Sequence, residues 1–207
     1  MSNWAAQERA ELISLFNALG PDAPTRCGDW TTAELAAHLY IRERRPDAAG
    51  GLVGGPLAGY TERTMRSVLR VHSYEHIVQR LAEGPPLPLR LLDEQINLHE
   101  FFVHHEDVRR ADGSGPRDLP AEMEQVLWAR LRRILRFAYR QVKDAQLEFV
   151  TAHGDRTVIR GKGAKVRILG PAGELFLYSF NRKDYAEVEL SGDEAAIERV
   201  RAAQLGV

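Results

Sequence analysis

Apolar residues recur at helical spacing through the first two-thirds of the chain and alternate in strand fashion afterwards, so the pattern itself divides the sequence in two. In residues 3–19, Leu12, Ile13, Phe16 and Leu19 share a helical face, and Gly20-Pro21 ends the run. Thr31 and Glu34 have capping-box spacing, with Trp30 placed to pack on Leu35 as a hydrophobic staple, so a second helix starts there. Its stripe is Leu35, His38, Leu39 and Arg42. A third helix is predicted from Thr61 to Ala82, with Val71, Tyr74, Val78 and Leu81 as its core stripe before Gly84-Pro85-Pro86 breaks it. A fourth carries NLHEFFVHHEDVRR, residues 97–110. A fifth, over residues 120–144, has Pro120 in its first turn and repeats Leu127, Leu131, Ile134, Leu135, Ala138 and Val142.

Long helices with apolar stripes and modest connections predict an antiparallel four-helix bundle over residues 1–145. Beyond it, LEFVTA, TVIRG, AKVRIL and AEVELSG alternate between glycine-containing turns, which predicts a small α+β C-terminal domain over residues 146–207. The fold class is therefore α + β. PAGELFLYSFNR suits either a strand, by alternation, or a helix, by Pro171 and Glu174 at its start; Ser191 and Glu194 have capping-box spacing for a last helix reaching Gln204. Between the second and third helices, RRPDAAGGLVGGPLAG reads equally as a flap over a pocket or as a plain connector. It follows no strand and lacks the Gly-Lys-Ser/Thr ending of a phosphate-binding loop.

The formal charge of -1 is spread without long single-sign blocks, which argues against a nucleic-acid partner. Arginine supplies 24 of the 28 basic residues, as a GC-rich coding bias would produce. No stretch approaches the apolar length of a membrane span, and the N-terminus is amphipathic and carries acids, unlike a signal peptide, so a cytoplasmic location is expected. Cys27 is the only cysteine, which rules out an internal disulfide, and it reads as inert.

The fourth helix concentrates the chemistry. Wound at about 100° per residue, Leu92, Ile96 and Val103 fall on one side of an apolar arc and Phe101 and Val108 on the other, with Glu100 and His104 between them. A buried carboxylate must be paired or coordinate a metal, and the i, i+4 spacing stacks both side chains on one face. The pair is either two-thirds of a metal site or a hydrogen-bonded pair that specifies packing. His99 and His105 project to either side and read as rim or surface residues. His38 lies on the buried face of the second helix, where a satisfied core histidine is the commoner outcome. His72 and His76 also have i, i+4 spacing but sit opposite the apolar stripe, as solvated residues or second-choice ligands.

EFFVHHEDVRRA, with CGDWTTAELAAHL upstream, resembles the actinobacterial branch of the DinB/YfiT-like metal-binding bundles, which includes mycothiol-dependent maleylpyruvate isomerase. GPAGELFLYSFNR followed by AEVELSGD is similar to the small C-terminal domain of the same family, so the likeness covers nearly the whole chain. There the first segment is a helix ending in a Gly-Arg pair; here Asn181 replaces the glycine and Arg182 keeps the arginine. The resemblance implies a DinB-like bundle whose metal ligands fall on His38, Glu100 and His104, with zinc as the divalent metal ion and mycothiol as co-substrate. It also implies a small-molecule thiol and a small anionic substrate as partners, the latter or a thiol carboxylate held by Arg182 in a catalytic role.

Two imidazoles and one carboxylate leave a coordination position open, the pattern of catalytic zinc. A cation there lowers the pKa of a bound thiol, which favours a thiol-dependent isomerase or S-transferase. Asp107, one turn beyond His104, is placed to orient its imidazole. Arg109 and Arg110 read as surface ion-pairing residues. The competing expectation is a metal-binding or interaction protein of the same fold without turnover; the ligand set also suits ferrous iron.

Overall fold

The computed structural model describes residues 3–49, 58–87, 89–159 and 161–205. Residues 50–57, the centre of the glycine-rich connection, lie outside them, so neither reading of that stretch is addressed. The chain is mixed α and β, mostly helical, with one four-stranded sheet among the described residues. It divides into two compact units, Met1–Ser114 and Gly115–Val207.

The first unit contains α1 (Trp4–Leu19), α2 (Thr32–Arg44), α3 (Pro46–Ala49), α4 (Ala58–Val71), α5 (Tyr74–Ala82), a 3-10 turn (Leu89–Leu92) and α6 (Asp93–Arg109). Helix α1 starts where the Asn3 side chain accepts from Ala6 N at 3.0 Å. The Glu34 carboxylate caps α2, accepting from Thr31 N at 2.7 Å and from the Thr31 hydroxyl. Helix α1 packs on α6 and α5, and α2 on α4 and α5. Leu12, Phe16, Leu35, Leu39, Ile77, Leu81 and Phe101 meet in one apolar core.

Where α1, α2 and α6 converge, the buried Arg9 makes a bidentate pair with Asp93 at 2.8 Å for each nitrogen and also contacts Glu43. Asn97 donates to Asp93 Oδ1 at 2.7 Å, and the Arg9 guanidinium lies 4.2 Å from the Phe101 ring centroid. Burial raises the Glu43 pKa, with Arg9 opposing.

Three sequence expectations change here. The single helix over 61–82 is two, because Ser73 interrupts it and caps α5, its hydroxyl accepting from His76 N at 3.2 Å. That break resets the helical phase and leaves Val71 exposed. Leu92, in the 3-10 turn, and Ile96, on α6, are exposed rather than part of the buried arc, whereas residues 101–108 are buried all round. His105 is consequently interior, 3% exposed, because α1 packs on its side of the helix.

The second unit contains α7 (Ala121–Ala138), β1 (Ala145–Thr151), β2 (Arg156–Ile159), β3 (Ala164–Gly170), α8 (Ala172–Ser179), β4 (Glu189–Gly192) and α9 (Glu194–Ala202). The expected fifth helix is thus grouped with the sheet and not with the helices before it. It stops at Ala138, where Tyr139 turns in edge-on against Phe149 at 5.1 Å between ring centroids. The sheet order is β2-β1-β3-β4, with β1 and β3 parallel and both outer pairings antiparallel.

The ambiguous segment is the helix α8. Glu124 of α7 receives its first amides, Ala172 N at 2.5 Å and Gly173 N at 3.2 Å. At the other end Asn181 has φ 67°, the left-handed value; Asn181 N donates to Tyr178 O at 3.3 Å and Arg182 N to Leu177 O at 3.0 Å, a Schellman cap. Asparagine tolerates this conformation better than other non-glycine residues, so the replacement of glycine keeps the turn. The last helix is capped by Asp193, which accepts from Ala196 N at 2.9 Å; Ser191 belongs to β4. Among the described residues no helix is long and apolar enough to cross a membrane.

Candidate metal centre

The capping box fixes where α2 begins, and that phase directs His38 inward. From α6, Glu100 and His104 face it one turn apart. His38 Nε2 and His104 Nε2 each stand 3.6 Å from the same oxygen, Glu100 Oε2, and the two imidazole centroids are 5.0 Å apart. One donor atom from each residue lies within 4.8 Å of the other two.

A separation of 3.6 Å is too long for a hydrogen bond. Two donors bound to one zinc at about 2.0–2.1 Å stand about 3.3 Å apart at the tetrahedral angle, and about 3.6 Å apart when that angle opens to about 120°. The spacing therefore suits an ion between the donors better than a direct contact. His38 is buried and neither of its ring nitrogens has a hydrogen-bond partner among the described residues. An imidazole left in that state pays the full desolvation penalty of its polar atoms unless something coordinates it. Trp30 covers its other side, with ring centroids 5.3 Å apart.

Asp107 is placed to hold His104 in the tautomer a metal requires. Its Nδ1 lies 2.8 Å from Asp107 Oδ2, and Asp107 is fully buried. A proton on Nδ1 directed at that carboxylate leaves the Nε2 lone pair facing Glu100 and His38. The main chain braces the same point, since Arg26 N donates to Asp107 O at 2.8 Å and ties the loop before α2 to α6.

Glu100 is gripped by its second oxygen. Arg42, one turn beyond His38, places Nη2 3.6 Å from Glu100 Oε1, and His99 Nε2 is 3.2 Å from that atom. Arg42 is anchored in turn by donating to Ile96 O at 2.9 Å. Oε1 is thereby occupied with cationic and imidazole groups, and Oε2 is presented to the two histidines.

The protonation states follow. Burial lowers the pKa of His38, with Glu100 opposing and His104 reinforcing, so the ring is neutral at pH 7 and can donate a lone pair. Burial works against ionisation of Glu100, yet His104, His38, His99 and Arg42 outweigh it and hold the carboxyl well below its usual range. Burial also opposes a charge on His104, but Asp107 and then Glu100 raise its pKa, so protons compete with a cation for this residue as pH falls.

The structure thus brings His38, Glu100 and His104 together and places Asp107 behind His104. Arg42 is on the expected face, but its grip on Glu100 was not anticipated; its i, i+4 relation to His38 is the signal that would have suggested it. His105 is satisfied elsewhere: its Nδ1 lies 2.7 Å from Glu8 Oε2 and its Nε2 3.8 Å from Glu11. His72 and His76 stack on each other at 4.8 Å and 14°, and belong to no three-donor group among the described residues. Cys27 groups with His104 and Asp107, beside the centre. Arg109 and Arg110 both pair with Glu106, at 2.8 Å and 2.5 Å, but Arg110 is buried, not on the surface. Arg182 lies in the second unit, where its Nη1 donates to Phe180 O at 2.8 Å. No protein-family model matches the chain, and no curated protein or solved structure is significantly similar to it.

Proposed function

We propose that His38, Glu100 and His104 hold a divalent cation, zinc, within a DinB-like antiparallel four-helix bundle, and that the chain is a mycothiol-dependent isomerase or S-transferase for a small anionic substrate. The observation that carries the metal is the buried, unsatisfied His38 ring facing Glu100 Oε2 and His104 Nε2 across gaps of 3.6 Å. A bound cation would supply Lewis acidity at its open position, lowering the pKa of a thiol there so that it is a strong nucleophile near neutral pH.

The chain's own groups prepare that position. Asp107 fixes the His104 tautomer, and Arg42 and His99 hold Glu100 by one oxygen. Trp30 keeps water from one side of His38. The thiol and the acidic substrate are inferred from the resemblance of EFFVHHEDVRRA and GPAGELFLYSFNR to the mycothiol-using branch of the DinB/YfiT-like family. The retained left-handed turn at Asn181 supports keeping Arg182 as the residue for a substrate or thiol carboxylate, since the backbone shape that glycine would provide is preserved.

The test is metal content by mass spectrometry on protein purified without a metal-affinity tag, wild type against His104→Ala, followed by mycothiol titration. Near-stoichiometric zinc that His104→Ala loses, with thiol binding that needs the metal, supports the reading. Iron with aerobic absorption bands replaces zinc by iron. Metal without thiol binding leaves a non-catalytic metal protein, and no metal even after zinc addition reduces Glu100 and His104 to a structural pair.

A further inference from the structure

The second unit carries a feature that metal chemistry does not use. Helix α7 and strand β2 border a groove of about 440 Å³ lined by Arg132, Arg133 and Arg136 on one side and Thr157, Val158 and Ile159 on the other. The three arginines are exposed and make no ion pair or hydrogen bond among the described residues. Among the described residues no carboxylate lines the groove. Arg132 and Arg136 are one turn apart and Arg133 adjoins them, so like charges stand together on one helical face, an arrangement that opposes helix formation.

The opposite wall identifies the kind of partner. Successive side chains of a strand point to opposite faces of its sheet, so a groove lined by three consecutive residues reaches the strand's backbone as well as its side chains. Strand β2 is the edge of the sheet, paired with β1 alone. Its outer N–H and C=O groups are directed away from every other strand of the sheet, and an edge of this kind is a template for an added strand.

We infer that this groove docks an extended acidic peptide segment of a partner protein, added to the outer edge of β2, with its carboxylates on Arg132, Arg133 and Arg136. The backbone edge supplies hydrogen bonds that any sequence can use, and the guanidiniums select for acidic side chains. A bare anion site would need the arginines and not the strand. Arginines placed only to protect the edge from aggregation would need no ligand at all.

The experiment uses the full chain and a fluorescently labelled seven-residue peptide of alternating Glu and Val, followed by anisotropy at low ionic strength. A lysine-for-glutamate version and inorganic tripolyphosphate serve as controls. Expected are saturable binding of the acidic peptide only, about tenfold or greater weakening in the combined Arg132→Glu, Arg133→Glu, Arg136→Glu variant, and slowed amide hydrogen exchange at the outward-directed N–H groups among residues 157–159. Circular dichroism verifies that the variant is folded, and Arg132→Gln, Arg133→Gln, Arg136→Gln substitutes if it is not. Absence of peptide binding overturns the inference in favour of edge protection. Peptide binding that ignores the arginines, or that leaves exchange at 157–159 unchanged, overturns it as well, and tripolyphosphate binding through the same arginines without peptide binding makes the groove an anion site.

Discussion

Asp107→Asn tests the centre at its least conspicuous point. The carboxylate is fully buried 2.8 Å from His104 Nδ1 and is not one of the three proposed ligands, so the substitution leaves their donor atoms in place. Asparagine is nearly isosteric, but its amide can present an N–H to Nδ1. That favours the tautomer with the proton on Nε2, where the metal needs a lone pair. Losing such a partner weakens metal binding about 10–100-fold, equivalent to about 1.4–2.8 kcal/mol. At fixed excess zinc the same amount disappears from the metal-induced stabilisation, because each tenfold loss in affinity removes about 1.4 kcal/mol. For a chain of this size that is about 3–11 °C less zinc-dependent rise in Tm. Chelator competition gives the affinity, and thermal melts with and without zinc give the increment. A variant whose metal-free Tm falls while its zinc affinity and zinc increment match the wild type would refute the orienting role and leave Asp107 as packing.

Arg9→Met removes the cation from Asp93 and Glu43 while keeping the apolar stem over Phe101; the stranded buried carboxylates should lower stability by about 3–5 kcal/mol in urea unfolding, with more than about 1 kcal/mol recovered when Asp93→Asn is added. Asn181→Ala, at φ 67°, should lose about 1 kcal/mol and Asn181→Gly should be near neutral, read from the same denaturation curves. The Thr31 hydroxyl and amide lower the Glu34 pKa, so the stability this cap adds is present above the ordinary glutamate pKa and is lost as pH falls through the lowered one. The difference in stability between wild type and Glu34→Gln should therefore shrink on acidification below about pH 4.5, and a difference independent of pH would contradict the linkage.

Much of this was legible because it is local. The Thr31–Glu34 box fixes the phase of α2, which is enough to turn His38 inward, and the i, i+4 spacing alone stacks Glu100 over His104. The change of period near residue 145 announces the sheet. What failed depends on partners distant in sequence. His105 is buried because Glu8, on α1, meets it across a helix contact that no spacing within α6 encodes. The stripe of α7 says that one face packs, but not that α8 and the sheet are what it meets. The break at Ser73 did have a local signal, a serine with its side chain free to cap the next turn, and the apolar periodicity on both sides masked it.

The chain's one cysteine happens to stand beside the proposed ligands, half-buried and grouped with His104 and Asp107. A thiol reagent therefore addresses a single address in the molecule. A small fluorophore or nitroxide attached at Cys27 reports events at that spot without any engineered handle, and the rate of its attachment registers whether the neighbouring position is filled, turning a residue with no assigned task into a built-in observer.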